Sequence, residues 1–436
     1  MPSHFPIFLR LIAIAALWLS AMAKAESAGG EMLNLISAGI MGETPGAAAA
    51  GDPHGQTGLR WAAASVLERK TVSGATMSIT IRNPTGDAWE DAPIVLRWDK
   101  QMQQAFGNRP VVMVSPQSAC IQRDDLDGDG SVDEVVFPLT LEPHETATVA
   151  IAAGSASPPP ARTDAGFYPK ELIGAAWESD RIAYRLYWND DTAIDVFAKR
   201  KPALSLRDYA RPEVNYHVES QWGLDVLKVG KSLGAGGFGV WHEGRAWKPA
   251  QVQRSCRVLA TGPYRARVEI RFAQWRVGSP ADARELDLTA TISIAAGQNW
   301  SEVELLLKAA DQQPLPELVA GILKDPQTEK VAVLEMGILG RWGRQALGDH
   351  EAPRTANLGV GVVVPRDRIV AYGEDEVSSY VRFRAVNGRA RYRHHASWEH
   401  EPGGARTTEQ YGKMLNQVAK LHPEIARLEW TNTTGR

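Results

Sequence analysis

The chain has 436 residues, with 48 Lys plus Arg against 51 Asp plus Glu and a formal net charge of −3 at pH 7. That slightly acidic balance carries no electrostatic footprint for nucleic acid or for an anionic membrane surface. The length exceeds what one core organises comfortably, so more than one domain is expected.

The first residues read as an export signal. Arg10 supplies a positive charge, residues 11–19 form an apolar run, and small residues follow at Ala21, Ala23 and Ala25; signal peptidase reads that order. A membrane-spanning helix needs about 20 apolar residues, more than this run offers. Residues 1–25 are therefore expected to be cleaved, leaving a soluble chain in the periplasm or outside the cell with no membrane partner. Cleavage takes Lys plus Arg from 48 to 46 against 51 acids, a net charge of −5. Residues 26–60, rich in Ala and Gly, read as a flexible leader.

Residues 61–153 carry short alternating segments at 77–82, 93–98, 111–114, 134–137 and 146–151, separated by turn residues such as Asn83-Pro-Thr-Gly86. This spacing predicts a small β-sandwich. Within it, Asp125, Asp127 and Asp129 alternate, Gly130 permits a tight turn and Asp133 follows. Carboxylates so spaced suit an oxygen-seeking cation, and a structural calcium on Asp125, Asp127, Asp129 and Asp133 is the expected cofactor. The bidentate Glu of an EF-hand is missing, because Val136 occupies its position. The alternative is an acidic turn that uses Asp and Gly for backbone geometry. Residues 154–165, rich in Pro and Ser, read as a linker.

Residues 166–436 alternate again at 182–188, 193–199, 266–272 and 286–294, and 300–307 is expected to pair with 286–294 across the turn 295–299. Period-two alternation buries one strand face. A helix is expected at 407–421, where Tyr411, Met414, Leu415, Val418 and Leu421 make one stripe. The fold class is thus mainly β: a small β-sandwich before a large antiparallel domain of sandwich or barrel type.

Three stretches offer chemistry. On the strand at 182–188, Ala183, Arg185 and Tyr187 share a face that presents a guanidinium and a phenol; a solvated salt-bridge face is the alternative. Asp195 and Lys199 share a face of the next strand. Tyr216, His217, Asp225 and Lys228 lie in or beside a glycine-rich stretch, 223–237, whose spacing matches no phosphate-binding loop, so no nucleotide or organic cofactor is expected. Trp177-Glu178 and His395, Trp398 and Glu399 add polar and aromatic groups, with His394 and His395 pointing to opposite faces. No spacing resembles a zinc site or a nucleophile elbow. The 14 Trp and 10 Tyr suit stacking on sugars, and equally a large core. Cys120 and Cys256 are compatible with one disulfide or with two buried thiols.

Ser115-Pro-Gln117, the run 124–130 with 133–137, residues 177–187, Tyr216-His217, Gly223-Leu-Asp225, Lys228-Val-Gly230 and Leu233-Gly234 together resemble a secreted bacterial family labelled domain of unknown function 4861, found with polysaccharide-degradation genes. An insertion at 118–123 departs from that pattern and places Cys120 outside it. The resemblance implies a galactose-mutarotase-like β-supersandwich in the large domain and a carbohydrate substrate. The resemblance fixes no reaction; the leading expectation is a lyase acting on uronate-containing glycan. Arg185 or Lys228 would neutralise the carboxylate, His217 would be the base, and Tyr187 or Tyr216 the acid. Glu178, Asp225, His395, Trp398 and Glu399 would line the substrate. A hydrolase using Glu178 with Asp225 or Glu399, an epimerase built on His217, and a non-catalytic glycan-binding protein are the alternatives.

Overall fold

The computed structural model describes residues 76–116, 119–345 and 356–421 in full, and the backbone of 75 and 424–432. The signal and leader expectations lie outside the described residues. Those residues form a mainly β protein, with every ladder between named strands antiparallel. Among them, no helix is long and apolar enough to cross a membrane.

The small sandwich consists of a five-stranded and a three-stranded sheet. In Ala75–Arg82, Met77, Ile79 and Ile81 are buried, as alternation requires, and they join Ile94, Val135, Phe137, Val149 and Ile151 in one core. One strand of the five comes from far away. Glu424–Asn432 pairs antiparallel with Ala75–Arg82, from Ala75 opposite Asn432 to Arg82 opposite Glu424. The chain end thus returns to the first sheet, which corrects the expectation that 166–436 forms one unit. Pairing also covers an otherwise open strand edge. A short helix, Lys100–Phe106, was not anticipated; Asp99 caps it by accepting from the Gln101 and Met102 amides at 2.9 Å. Seven residues with two buried side chains leave too little periodicity to read.

The expected linker is shorter than its composition suggests. Strand Thr163–Tyr168 already begins inside it, and the Thr163 hydroxyl donates to Gly262 O at 2.8 Å. This strand edges a five-stranded sheet that runs on through Gly174–Ser179, Ile182–Tyr187, Ile194–Lys199 and Gly223–Asp225. An eight-stranded sheet includes Arg265–Val277, Arg284–Ala295 and Trp300–Ala309, the last two paired across 295–299 as expected. A third, five-stranded sheet includes Ala235–His242, Glu317–Leu323 and Ser378–Phe383. Residues from all three sheets fill a single core, among them Tyr184, Val196, Phe238, Phe272, Ile292 and Val381.

The expected helix is Thr408–Lys420, capped by the Thr407 hydroxyl, which accepts from the Gln410 amide at 3.1 Å. Its buried Tyr411, Leu415 and Val418 lie against Trp300, Ile338 and Trp342 of the large sheet. Glycines make the seat: a Cβ on Gly359 would come within 2.4 Å of the Tyr411 ring, and one on Gly361 within 2.8 Å of Leu415.

The acidic loop is anchored where the small sandwich meets the large sheet. Gln122 accepts from the Tyr264 and Arg265 amides at 2.9 and 3.0 Å and donates to Arg265 O at 2.8 Å. The Arg265 guanidinium is held by Asp124 and by Glu134, the residues that flank the loop.

Candidate functional site

Arg185 stands in the centre of strand Ile182–Tyr187, directly opposite Asp195 in the antiparallel register. Tyr184 and Leu186 turn into the main core, as alternation predicts. The other face is not solvated, however. The short helix Leu206–Tyr209 and the loop after it lie over it, and Ala183, Phe197, Leu206 and Tyr209 form a second buried cluster there, with Tyr216 packed against it. Arg185 is therefore 1% exposed and Asp195 fully buried.

Such a cation is tolerable only when fully paired. Nε and Nη2 of Arg185 donate to Asp195 at 3.0 and 2.7 Å, and Nη2 also reaches Asp225 at 2.9 Å. Nη1 donates to Leu172 O at 3.2 Å and to the Tyr216 hydroxyl at 3.1 Å, while Nη2 holds the Tyr187 hydroxyl. The guanidinium also sits over the Tyr187, Phe197 and Tyr216 rings, at 4.3, 5.0 and 5.1 Å. With all its nitrogens engaged inside the protein, Arg185 does not meet a substrate carboxylate. It positions the two phenols.

Asp225 ends the edge strand Gly223–Asp225, opposite Phe197, and its amide donates to Tyr216 O at 2.9 Å. This closes the loop that carries Tyr216 and His217. His217 Nδ1 lies 3.5 Å from Asp225 Oδ2, and the His217 side chain is 33% exposed. His217, Tyr216 and Tyr187 are all half-buried, above a floor of Arg185, Asp195 and Asp225.

Burial would lower the Arg185 pKa, but Asp195 and Asp225 more than offset it, so the guanidinium is held firmly charged. Burial and the neighbouring Asp195 push the Asp225 carboxyl well above its ordinary range, against the pull of Arg185. Asp195 is gripped by two nitrogens of the guanidinium, and Asp225 takes up a proton more readily than an ordinary aspartate. Burial and Asp195 likewise push the Tyr187 phenol far up, so it stays protonated.

Lys228, three residues after Asp225, is exposed. The remaining candidates separate from this cluster. Glu178 is fully buried and accepts from the Ser205 and Leu206 amides, the latter at 3.0 Å, and from Lys199, also buried. It caps the start of the short helix, so the expected substrate contact from Glu178 is replaced by a structural role. His394 and His395 do point to opposite faces. His394 lies edge-on to Tyr184, 4.6 Å between centroids, and His395 lies under Tyr411 at 5.5 Å. Burial brings both down to about 3, so both are neutral. His395 is closed off beneath the helix, and Trp398 is only 3% exposed, with the Arg200 guanidinium 5.0 Å from its ring. Glu399 accepts from the Asn357 amide and side chain at 2.7 and 2.8 Å, bracing that strand end. The burial of Trp398 and the pairing of Glu399 with the distant Asn357 are both invisible in a local sequence pattern.

One perturbed acid was missed. Glu401 is buried, accepting on Oε1 from Ser397 Oγ at 3.0 Å and Asn299 Nδ2 at 3.2 Å, while Oε2 finds no partner among the described residues. Burial raises its pKa to about 7. Nothing in the sequence around Glu401 signals this, since the pocket is built by the distant 295–299 turn.

In the acidic loop, carboxylate oxygens of Asp125, Asp127 and Asp133 lie within 4.8 Å of one another. Asp129 stands apart from that group and accepts from the Ser131 amide at 2.7 Å. Asp125 accepts from Gly128 and Gly130 amides at 2.7 and 2.8 Å, and Asp133 from Leu126 at 2.7 Å. These amide bonds hold the turn and lower the Asp125 pKa. Three carboxylates suit a hard cation, and the backbone bonds leave lone pairs for one. Cys120 and Cys256 are both free thiols.

Similarity to known proteins is broad but shallow. A relative from Formosa agariphila, "Uncharacterized protein P7", is 23% identical over 298 residues, covering 63% of this chain and 72% of the relative. An alpha-mannosidase from Enterococcus faecalis V583 aligns at a TM-score of 0.45 and 10% identity, over 82% of this chain and 46% of its own. A glycosyl hydrolase family 38 protein from Enterococcus faecalis gives 0.47 and 10%, over 83% and 48%. The chain thus spans about half the length of those two structures, and a likeness of that size carries no functional argument. The family model for DUF4861, a domain of unknown function, matches residues 81–423, and the chain belongs to that family.

Proposed function

We propose that this protein is a carbohydrate-active enzyme, a lyase that cleaves uronate-containing glycan by β-elimination at the Arg185 cluster. The observation that supports it most is the half-exposed trio of His217, Tyr187 and Tyr216 over a buried, charge-paired floor. Elimination needs a base for the proton beside the substrate carboxylate and an acid for the leaving oxygen. His217, neighboured by Asp225, takes the proton. The C–H electron pair becomes the new C=C bond, the bond to the glycosidic oxygen breaks, and Tyr187 or Tyr216 protonates that oxygen. Burial keeps the Tyr187 phenol protonated in the resting site, so a proton is available there. Since Arg185 is spent on internal partners, Lys228 is the cation assigned to the substrate carboxylate. In this reading the large domain is a galactose-mutarotase-like supersandwich, the chain is exported, and the acidic loop holds a structural calcium through Asp125, Asp127 and Asp133.

The geometry disfavours a hydrolase. Glu178 is consumed as a cap, Asp225 is held by Arg185, and Glu399 is held by Asn357, so none of the carboxylates that a hydrolase would use stands free to flank a glycosidic bond. The test is to incubate the protein with pectic, ulvan-like and glucuronate-bearing glycans. New ultraviolet absorbance from an unsaturated uronide is expected, falling by about 100-fold or more in His217→Ala and Tyr187→Phe. Reducing ends released without absorbance, or no turnover across the panel, sinks the lyase reading.

A further inference from the structure

A second group of chemically apt side chains follows the Arg185 cluster along the chain. Strand Ala235–His242 turns through Glu243 and Gly244 into Arg245–Trp247, with His242 opposite Arg245. Glu243 has φ 48° and Gly244 φ 73°, the two left-handed positions of a tight hairpin turn. A glutamate is an unfavourable choice there, since Asn, Asp or Gly adopts that conformation more cheaply. Beside the turn runs the loop joining Arg265–Val277 to Arg284–Ala295, the two strands that share the longest ladder of the large sheet. Glu243 grips this loop, accepting from the Ser279 amide at 2.9 Å and from its hydroxyl at 2.6 Å.

The loop then brings Asp282 towards His242. Ligand atoms of His242, Glu243 and Asp282 all lie within 4.8 Å of one another. His242 Nε2 is shielded from solvent yet makes no hydrogen bond; the nearest Asp282 oxygen is 3.8 Å away. A buried ring nitrogen left without a partner calls for one. Gly278 preserves the gap around it: at φ +109°, a Cβ there would lie 2.9 Å from His242 Nε2 and 2.7 Å from Asp282 O.

The geometry points to a divalent-cation site formed by His242, Glu243 and Asp282, which ties the hairpin turn to the corner of the large sheet. One imidazole and two carboxylates make a mixed nitrogen and oxygen set that favours zinc-like ions over calcium or magnesium. Zinc needs ligands at about 2.0–2.2 Å, so the three side chains must close by rotation. Asp282, 71% exposed, has that freedom. Water completes the coordination, as the site opens to solvent, and the ion's role is to clamp two sheets rather than to react.

The test is titration calorimetry of the chelator-treated full chain with zinc chloride at pH 7.5, supported by a thermal-unfolding scan. One zinc is expected to bind, with a rise in Tm. His242→Ala and Asp282→Asn should each weaken binding at least tenfold and abolish the Tm rise, while Glu409→Gln on the exposed face of the Thr408–Lys420 helix changes neither. Asp282 is exposed on a loop, so its variant folds even if removal of His242 disturbs the hairpin. No zinc heat, or an affinity unchanged in both His242→Ala and Asp282→Asn, overturns the site. Glycan turnover is not part of this readout, so the site and the lyase proposal stand or fall separately.

Discussion

Glu401→Gln should remove a pH-dependent weakness in the native state. The Glu401 carboxyl is 3% exposed and has one oxygen without a partner among the described residues. Burial raises its pKa from 4.5 to about 7. A carboxyl whose folded pKa is raised binds more protons in the folded state than in the unfolded chain, so stability falls as pH climbs through that window. At about 1.36 kcal/mol per pKa unit, the loss between pH 4.5 and pH 8 is about 3 kcal/mol. A glutamine stays neutral throughout. Its carboxamide oxygen keeps the bonds from Ser397 and Asn299, and its unpartnered NH2 adds only a pH-independent offset. The measurement is urea unfolding of wild type and variant at half-unit steps from pH 4.5 to 8. The difference between them should drift by about 3 kcal/mol in favour of the variant, with every other titration cancelling. A difference that stays flat across the window refutes the reasoning, whatever its absolute size.

Glu178→Gln leaves Lys199 buried without its counter-charge and should cost about 3–5 kcal/mol in urea unfolding; a loss under about 1 kcal/mol would mean the pair is not buried in solution. Gly359→Val must push the Tyr411 ring off its seat, since a Cβ alone would lie 2.4 Å from it. Overpacking of this kind costs about 1–3 kcal/mol, and circular dichroism should still show the native strand signal. Truncation after Leu421 removes the strand that pairs with Ala75–Arg82, and the shortened chain should aggregate at concentrations where the full chain remains monodisperse by light scattering.

Much of the fold is written in local alternation. The strands around Met77, Ile182, Leu286 and Trp300 and the stripe of the Thr408–Lys420 helix follow from side-chain periodicity, because a half-buried strand or helix repeats its burial with its own geometry. Arg185 and Asp195 as cross-strand neighbours were legible in the same way: opposite charges on adjacent alternating strands. Their burial was not, since the loop and short helix that cover that face come from residues 206–217. The same limit explains Glu178, whose carboxylate is claimed by the amides of Ser205 and Leu206, and Glu401, whose surroundings include a turn a hundred residues earlier.

By itself, the sequence determined the strand-rich class, the amphipathic helix, the acidic turn and the family, all of which reside in residues close together or in a fixed order. Only the tertiary structure decided that the chain end returns to the first sheet, that Arg185 is an internal hub rather than a substrate contact, and that His242 meets Asp282. These depend on which distant surfaces pack together. Packing sets solvent access, and solvent access decides whether a charged side chain acts, braces its neighbours or simply faces water.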